Sequence, residues 1–164
     1  MKGIKTLYIV ILSVCFLGAI SCNTPTQISS DYAYLGFTTE CLGVELDGSQ
    51  TLRVFGKGKD KADAIEQAKK NAVRDVIFIG INAGSGECFQ RPLINEVNAQ
   101  EKYSYYFNPF FKDKGDYSAF VRLDEKRQSR IKAANNTQEN WGVVVTVDRA
   151  GIQQKLINDG IIKQ

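Results

Sequence analysis

Between Asp60 and Ile79 the apolar residues Ala64, Ile65, Ala68, Ala72, Val73 and Val76 recur at three- and four-residue steps. That period belongs to an α-helix with one apolar face. Three of the six are alanines one turn apart, so the face carries little bulk and can lie close on a sheet. Asp60 suits the N-cap through its carboxylate, and Asp63 in the first turn complements the positive end of the helix dipole. Glu66 and Lys70 stand at i,i+4 on the other face, in the favourable order. Ile77, Phe78 and Ile79 extend the burial, and Gly80 or Gly84 ends the helix. The expected helix is 60–79.

The rest of the chain supplies the sheet. Thr38–Glu45 and Thr51–Gly56 read as two strands joined at Asp47-Gly48-Ser49, a β-hairpin. Gly56-Lys57-Gly58 then leads into the helix. After the loop Ala83-Gly84-Ser85-Gly86, Pro92 suits the first turn of a second helix carrying Leu93, Ile94 and Val97. Tyr103, Tyr106, Phe107, Phe110 and Phe111 keep helical spacing, and Pro109 should kink or end that helix near Asn108. Three more strands are expected at Tyr117–Leu123, Ser129–Ala134 and Trp141–Val147, separated by the polar stretches Asp124–Gln128 and Asn135–Asn140. A closing helix follows from Asp148, its cap, to Ile162, with Ile152, Leu156, Ile157 and Ile161 as the candidate inward residues and Gly160 loosening its end.

Strands and helices therefore come in blocks rather than in alternation. That order argues an α+β fold with a mostly antiparallel sheet. An N-terminal hairpin and a C-terminal three-strand meander build the sheet, and the Ala-rich helix and the C-terminal helix pack on one face. The chain has 164 residues, enough for one domain with a real core. We assign residues 31–164 to that domain.

The first thirty residues read differently. Met1–Lys5 carries two lysines and no acid, Leu7–Ile20 is uncharged and mostly apolar, and Ala19-Ile20-Ser21 puts small residues before Cys22. This is the pattern of a secretory signal peptide over residues 1–21, and the apolar run is too short for a spanning helix. Polar, uncharged 22–30 reads as a tether. Of the four cysteines, Cys15 leaves with the signal, so three remain in an exported chain. If Cys22 is modified, Cys41 and Cys88 can pair as a structural disulfide. Two free buried thiols is the alternative. Removal of the signal also takes Lys2 and Lys5, so 19 basic groups face 18 acidic ones and the net charge falls to +1. No nucleic-acid partner is implied by that balance.

Little in the sequence carries chemistry. The chain has no histidine, which excludes a Ser-His-Asp triad, a Cys-His pair and any His-ligated metal. Gly56-Lys57-Gly58-Lys59 before a helix invites a phosphate-loop reading, but neither the Gly-x-x-x-x-Gly-Lys-Ser/Thr motif nor the dinucleotide fingerprint is complete. The plainer reading is that both glycines let a strand swing into the helix. No catalytic residue, metal site or cofactor is assigned. Asp124 and Glu125, with Lys126, Arg127 and Arg130 close by, are expected to be a solvated charged turn. The aromatic group from Tyr103 to Tyr117 has core spacing, but it is also the stretch that could stack on a sugar or anchor a partner. Tyr105, off the stripe, and Tyr117 are the candidate surface residues.

Two resemblances add to this. Ala19–Cys22 resembles the lipobox of bacterial lipoproteins, with Ala19 where leucine is usual; ordinary secretion is the alternative. The resemblance implies acylation at Cys22 and a stable membrane anchor. Together with Glu40-Cys41, Val44-Glu45-Leu46-Asp47-Gly48-Ser49 and the Ala-rich helix, it looks like small lipoproteins of the Bacteroidales. More loosely, a strand, Gly56-x-Gly58 and a helix with Ala64, Ala68 and Ala72 is similar to FlgT N-terminal and related membrane-associated lipoprotein domains. That implies a non-catalytic α+β interaction domain in the periplasm or on the outer membrane. Surface-exported Bacteroidales lipoproteins often carry acids just after the cysteine; Asn23–Gln27 has none, which by analogy favours the periplasmic side. The expectation is a lipid-anchored accessory or adaptor that binds another envelope protein, with a glycan- or peptidoglycan-binding module as the alternative.

Overall fold

The computed structural model describes residues 38–131 and 138–163, and in it the thin face of the long helix meets a sheet. Strands β1 (Glu40–Val44) and β2 (Gln50–Gly58) form the first hairpin. Gly48 turns it with φ 82°, a left-handed conformation that glycine adopts without a Cβ clash. Asp47 holds the turn by accepting from the Ser49 amide at 2.9 Å.

Helix α1 spans Lys61–Phe78. Asp60 accepts from the amide of Asp63 at 2.9 Å, and the Asp63 carboxylate reaches back to the amide of Lys59 at 3.0 Å. One orphan donor of the helix start, the Asp63 amide, and the Lys59 amide just before the cap are thereby satisfied. Beneath them Gly56 and Gly58 stay in β2. A methyl group built on Gly56 would overlap the Ala64 carbonyl, and one on Gly58 would overlap the Ala64 amide. The glycines are there because helix backbone lies directly on strand backbone.

Strand β5 (Glu139–Val147) pairs antiparallel with β2 along its whole length, setting Leu52 opposite Val145 and Val54 opposite Val143. These residues pack under Ala68, Ala72, Val73, Val76 and Ile77 of α1. Helix α4 (Arg149–Asn158) adds Ile152 and Leu156 to the same core. The sheet has five strands in the order β3-β1-β2-β5-β4, with β3 at Ala83–Gly84 and β4 at Val121–Ile131. All neighbours are antiparallel except β3, which runs parallel to β1. The fold is α+β with a mostly antiparallel sheet. The described residues belong to one compact unit, Asp31–Gln164.

Several local expectations are corrected. The three-strand meander is a two-strand hairpin, because Asp124–Gln128 bulges within β4 instead of reversing the chain. Asp124 faces Val144 and Gln128 faces Val143, which leaves Glu125–Arg127 looped out. Asp124 makes that loop, accepting from the Lys126 amide at 3.0 Å and from Arg127 at 2.6 Å. The turn chemistry was real, but the chain resumed its direction. Residues 132–134 of the expected middle strand lie outside the described residues.

No helix starts at Pro92. Residues 92–96 run as irregular chain and bends before a turn at 97–98, because the amides of Leu93 and Ile94 are needed elsewhere: they donate to the carbonyls of Val76 and Ile77 at 3.1 and 2.9 Å. They cap the C-terminal end of α1, whose last carbonyls have no partner within the helix. Helicity begins only at α2 (Ala99–Lys102), and α3 (Ser104–Phe110) follows. Pro109 lies one residue before the end of α3, close to where it was expected to stop the helix. The expected Glu66–Lys70 pair is replaced by Glu66–Lys69 at 2.9 Å and Lys70–Asp113 at 2.5 Å. Gly160, with φ 72°, follows the end of α4 at Asn158, earlier than Ile162.

Candidate functional site

Cys41 of β1 and Cys88 are bonded, with Sγ–Sγ 2.05 Å and Cα–Cα 5.8 Å. Both are buried, and the amide of Cys88 also donates to Cys41 Sγ at 3.1 Å. The bond pins the loop after β3 to the first hairpin, as the exported-protein reading expects. Cys22, the lipid-attachment candidate, lies outside the described residues, as do the signal peptide 1–21 and the tether 22–30.

The residue after Cys88 is one of the exposed large apolar side chains. Phe89 is 58 % exposed, and Ile79 at the end of α1 is 53 % exposed. Several contacts bring them to the same end of the helix. The amide of Ile81 donates to the Phe89 carbonyl at 3.4 Å, and Gly80 is pressed against the Gln90 carbonyl. The guanidinium of Arg149 lies 5.0 Å from the centre of the Phe89 ring, a cation–π contact. Arg149 also donates to the Val76 carbonyl at 3.3 Å, the same oxygen that accepts from Leu93. Three separate chain segments thus build one ledge at the C-terminal end of α1. Burial pulls the Arg149 pKa down from its ordinary value, since part of its hydration is lost.

Sequence reasoning missed this ledge. Phe89 has no periodic apolar partners around it, and Arg149 is a single charge at a helix start. The available signal was its position: an aromatic directly after a cysteine that pairs is held in place whether or not it is covered.

The two candidate aromatics separate. Tyr105 is 71 % exposed, beside Tyr103 at 6.5 Å between ring centres. Tyr117 is fully buried and is not a surface residue. It lies in the 3-10 helix Asp116–Phe120, not in a strand, where its ring stacks on Phe111 and its hydroxyl donates to Glu66 of α1. Phe107 meets Phe78 of α1 edge-on at 4.7 Å, so the aromatic stripe is mainly core. Burial and the Glu66 carboxylate raise the Tyr117 pKa, and burial with Asp159 raises that of Tyr106.

The other candidates carry less. The start of α1 already holds the carboxylates of Asp60 and Asp63 where a phosphate would sit. Asp124 is held below the usual carboxylate range by its hydrogen bonds to Arg127 and the Lys126 amide, opposite to the shift a general acid needs. A cleft of about 340 Å³ is lined by Glu45, Leu46, Asp47, Arg122 and Thr146. Its acids serve the hairpin itself: Thr51 donates to Glu45 at 2.6 Å and the Ser49 amide to Asp47. Among the described residues no group of three or more Cys, Asp and Glu is placed to hold a metal ion, and no helix is long and apolar enough to cross a membrane.

No family model matches the chain, and neither a curated protein nor a solved structure matches it.

Proposed function

We propose that this chain is a lipid-anchored accessory or adaptor protein of the bacterial cell envelope. Cys22 would hold it on the outer membrane facing the periplasm, and the α+β domain would bind another envelope protein without catalysis. The observation that carries this reading is the ledge of Ile79, Phe89 and Arg149. Two large apolar side chains stand in water, Ile79 at the end of α1 and Phe89 directly after the disulfide-bonded Cys88. Exposed apolar side chains grouped beside a cation are the ordinary makings of a protein contact, with Phe and Arg among the residues enriched at interfaces. The lipobox-like Ala19–Cys22 and the even pairing of the remaining cysteines support the location.

The test is in-cell crosslinking and affinity capture of the tagged protein, in the wild type and in Cys22→Ala, read by mass spectrometry. One dominant envelope protein, lost with the anchor, supports the adaptor reading, and the same spectra show the lipid on Cys22. No protein captured from either form removes it. The glycan alternative rests on Tyr105 and its neighbour Tyr103, and retention of the chain on purified sacculi, lost in Tyr105→Ala, would bring it forward.

A further inference from the structure

We propose that the ledge at the C-terminal end of α1 receives an acidic, apolar peptide segment, with an apolar side chain on Phe89 and Ile79 and a carboxylate on Arg149. The inference rests on the protein-binding reading above and gives the partner its chemistry.

The argument starts from charge. Arg53, Arg74, Arg127 and Arg130 each sit within 3.1 Å of a carboxylate, from Glu40, Asp75, Asp124 and Glu139 respectively. Arg149 has none among the described residues. Arg91 and Arg122 share that lack, but both stand exposed and keep their water. Arg149 is half-buried, one nitrogen on the Val76 carbonyl and its guanidinium carbon 5.0 Å from the centre of the Phe89 ring. A guanidinium has five N–H donors, and the structure uses one of its nitrogens on a neutral oxygen. The neighbouring acid, Asp148, is committed to capping α4, accepting from the Gly151 amide at 2.8 Å. The site therefore holds a partly dehydrated cation with donors to spare and no anion.

The ring and the isoleucine say what surrounds that anion. A free phosphate or a polyanion would meet one cation and leave Phe89 and Ile79 in water. A peptide that sets Leu, Ile or Phe within a few residues of Asp or Glu would cover the apolar side chains and pair the arginine together. The ledge is also prepared for it. Cys88 is bonded one residue before Phe89, and the Ile81–Phe89 and Leu93–Val76 hydrogen bonds hold both sides. Little ordering cost is left for the moment of binding.

The full chain, with Cys41 and Cys88 oxidised, is tested against arrayed dodecapeptides in three matched sets. One set places Asp or Glu beside Leu, Ile or Phe; the second replaces the acid by Asn or Gln; the third by Lys. The acidic set is expected to bind at least about tenfold more tightly than the amide set, as a charge-assisted hydrogen bond should give. Arg149→Met should erase that preference, Arg149→Lys should keep most of it, and Phe89→Ala should weaken acidic and amide sets alike. Since Arg149→Met also removes a bond at the end of α1, Phe89→Glu serves as a second variant; it changes an exposed ring, sets a fixed carboxylate by Arg149 and should abolish the acid preference. Equal binding of the three sets, a lysine preference, or an acid preference that survives both variants overturns the proposal. A photo-crosslinker placed in cells at position 89 or at position 105 separates the two readings. A protein captured from 105 and not from 89 leaves protein binding standing and removes the ledge from it, whereas capture from neither removes both.

Discussion

Gly56 of β2 and Ala68 of α1 are so close that a methyl group built on the glycine would sit 2.9 Å from the alanine Cβ. The Ala64 carbonyl and the Ala68 amide are nearer still. Backbone cannot move aside as a flexible side chain can, so Gly56→Ala should force the helix off the sheet. The expected loss is about 3 kcal/mol, the upper end for overpacking a core. Gly48→Ala is the contrast: nothing lies within 4 Å of its Cβ, and its cost of roughly 1 kcal/mol should come only from the left-handed φ of 82°. Urea midpoints followed by the fluorescence of Trp141, the single tryptophan, compare the two. Equal losses would mean that conformation, not space, holds position 56.

The Cys41–Cys88 bond closes a loop over a sequence separation of 47. In the chain-entropy account a loop of that size contributes about 4 kcal/mol. The double Cys41→Ser, Cys88→Ser variant is expected to lose most of that, and to free the loop that carries Phe89. Intact mass after alkylation should show no label on either cysteine without reductant and two labels with it. Labelling of both without reductant would mean the thiols are free in solution.

What the sequence told of this fold follows from where the local signals were unopposed. Helix α1 could be read nearly to the residue, because Asp60, the three alanines and the apolar period all agree and the sheet beneath accepts them. Pro92–Val97 could not. Its helix signals were local, while the pull on the Leu93 and Ile94 amides came from carbonyls at the end of α1, some seventeen residues back. Asp124 announced a turn and made one, but whether a turn reverses a strand depends on the pairing partner, and β5 continued past it. For the site, the Cys41–Cys88 pairing was one of the two readings the cysteines offered. The ledge was not legible, because Arg149 reaches Phe89 and the end of α1 only when α4 returns to them.

Gln50 begins β2 facing the core, opposite Val44 and Val147, and is fully buried. Neither Nε2 nor Oε1 of its side chain has a partner among the described residues. A buried amide without hydrogen bonds costs stability that an apolar side chain of similar length would not. Gln50→Met is therefore expected to raise stability by about 1–2 kcal/mol, seen as a higher urea midpoint at an unchanged slope. A fall in the midpoint would show that the amide is satisfied in solution.

Two tyrosine–carboxylate pairs tie the stability of the fold to pH. Tyr117 donates to Glu66, and Tyr106 donates to Asp159 at 2.5 Å. Burial acts to raise the Glu66 pKa, but the hydrogen bonds from Tyr117 and Lys69 outweigh it, leaving the carboxyl below its ordinary 4.5. Tyr106 and then Lys155 hold Asp159 below 3.8. A carboxyl lowered on folding stabilises above its unfolded pKa and loses that contribution as pH falls through the folded value. The acid limb should therefore begin near the ordinary carboxylate pKa and steepen below it. The tyrosines have the opposite sign. Burial and the facing carboxylates raise both above their ordinary 10.0. Their contribution is complete below pH 10.0 and is lost as the pH climbs beyond it. With no histidine in the chain, the curve between the limbs should be nearly flat. Tyr106→Phe with Tyr117→Phe should lower the plateau and make both limbs shallower, because the carboxylates lose a donor and no buried phenol remains at these positions to ionise. Urea midpoints from pH 3 to 11 read this directly, and limbs unchanged in the double variant would show that other groups govern the response.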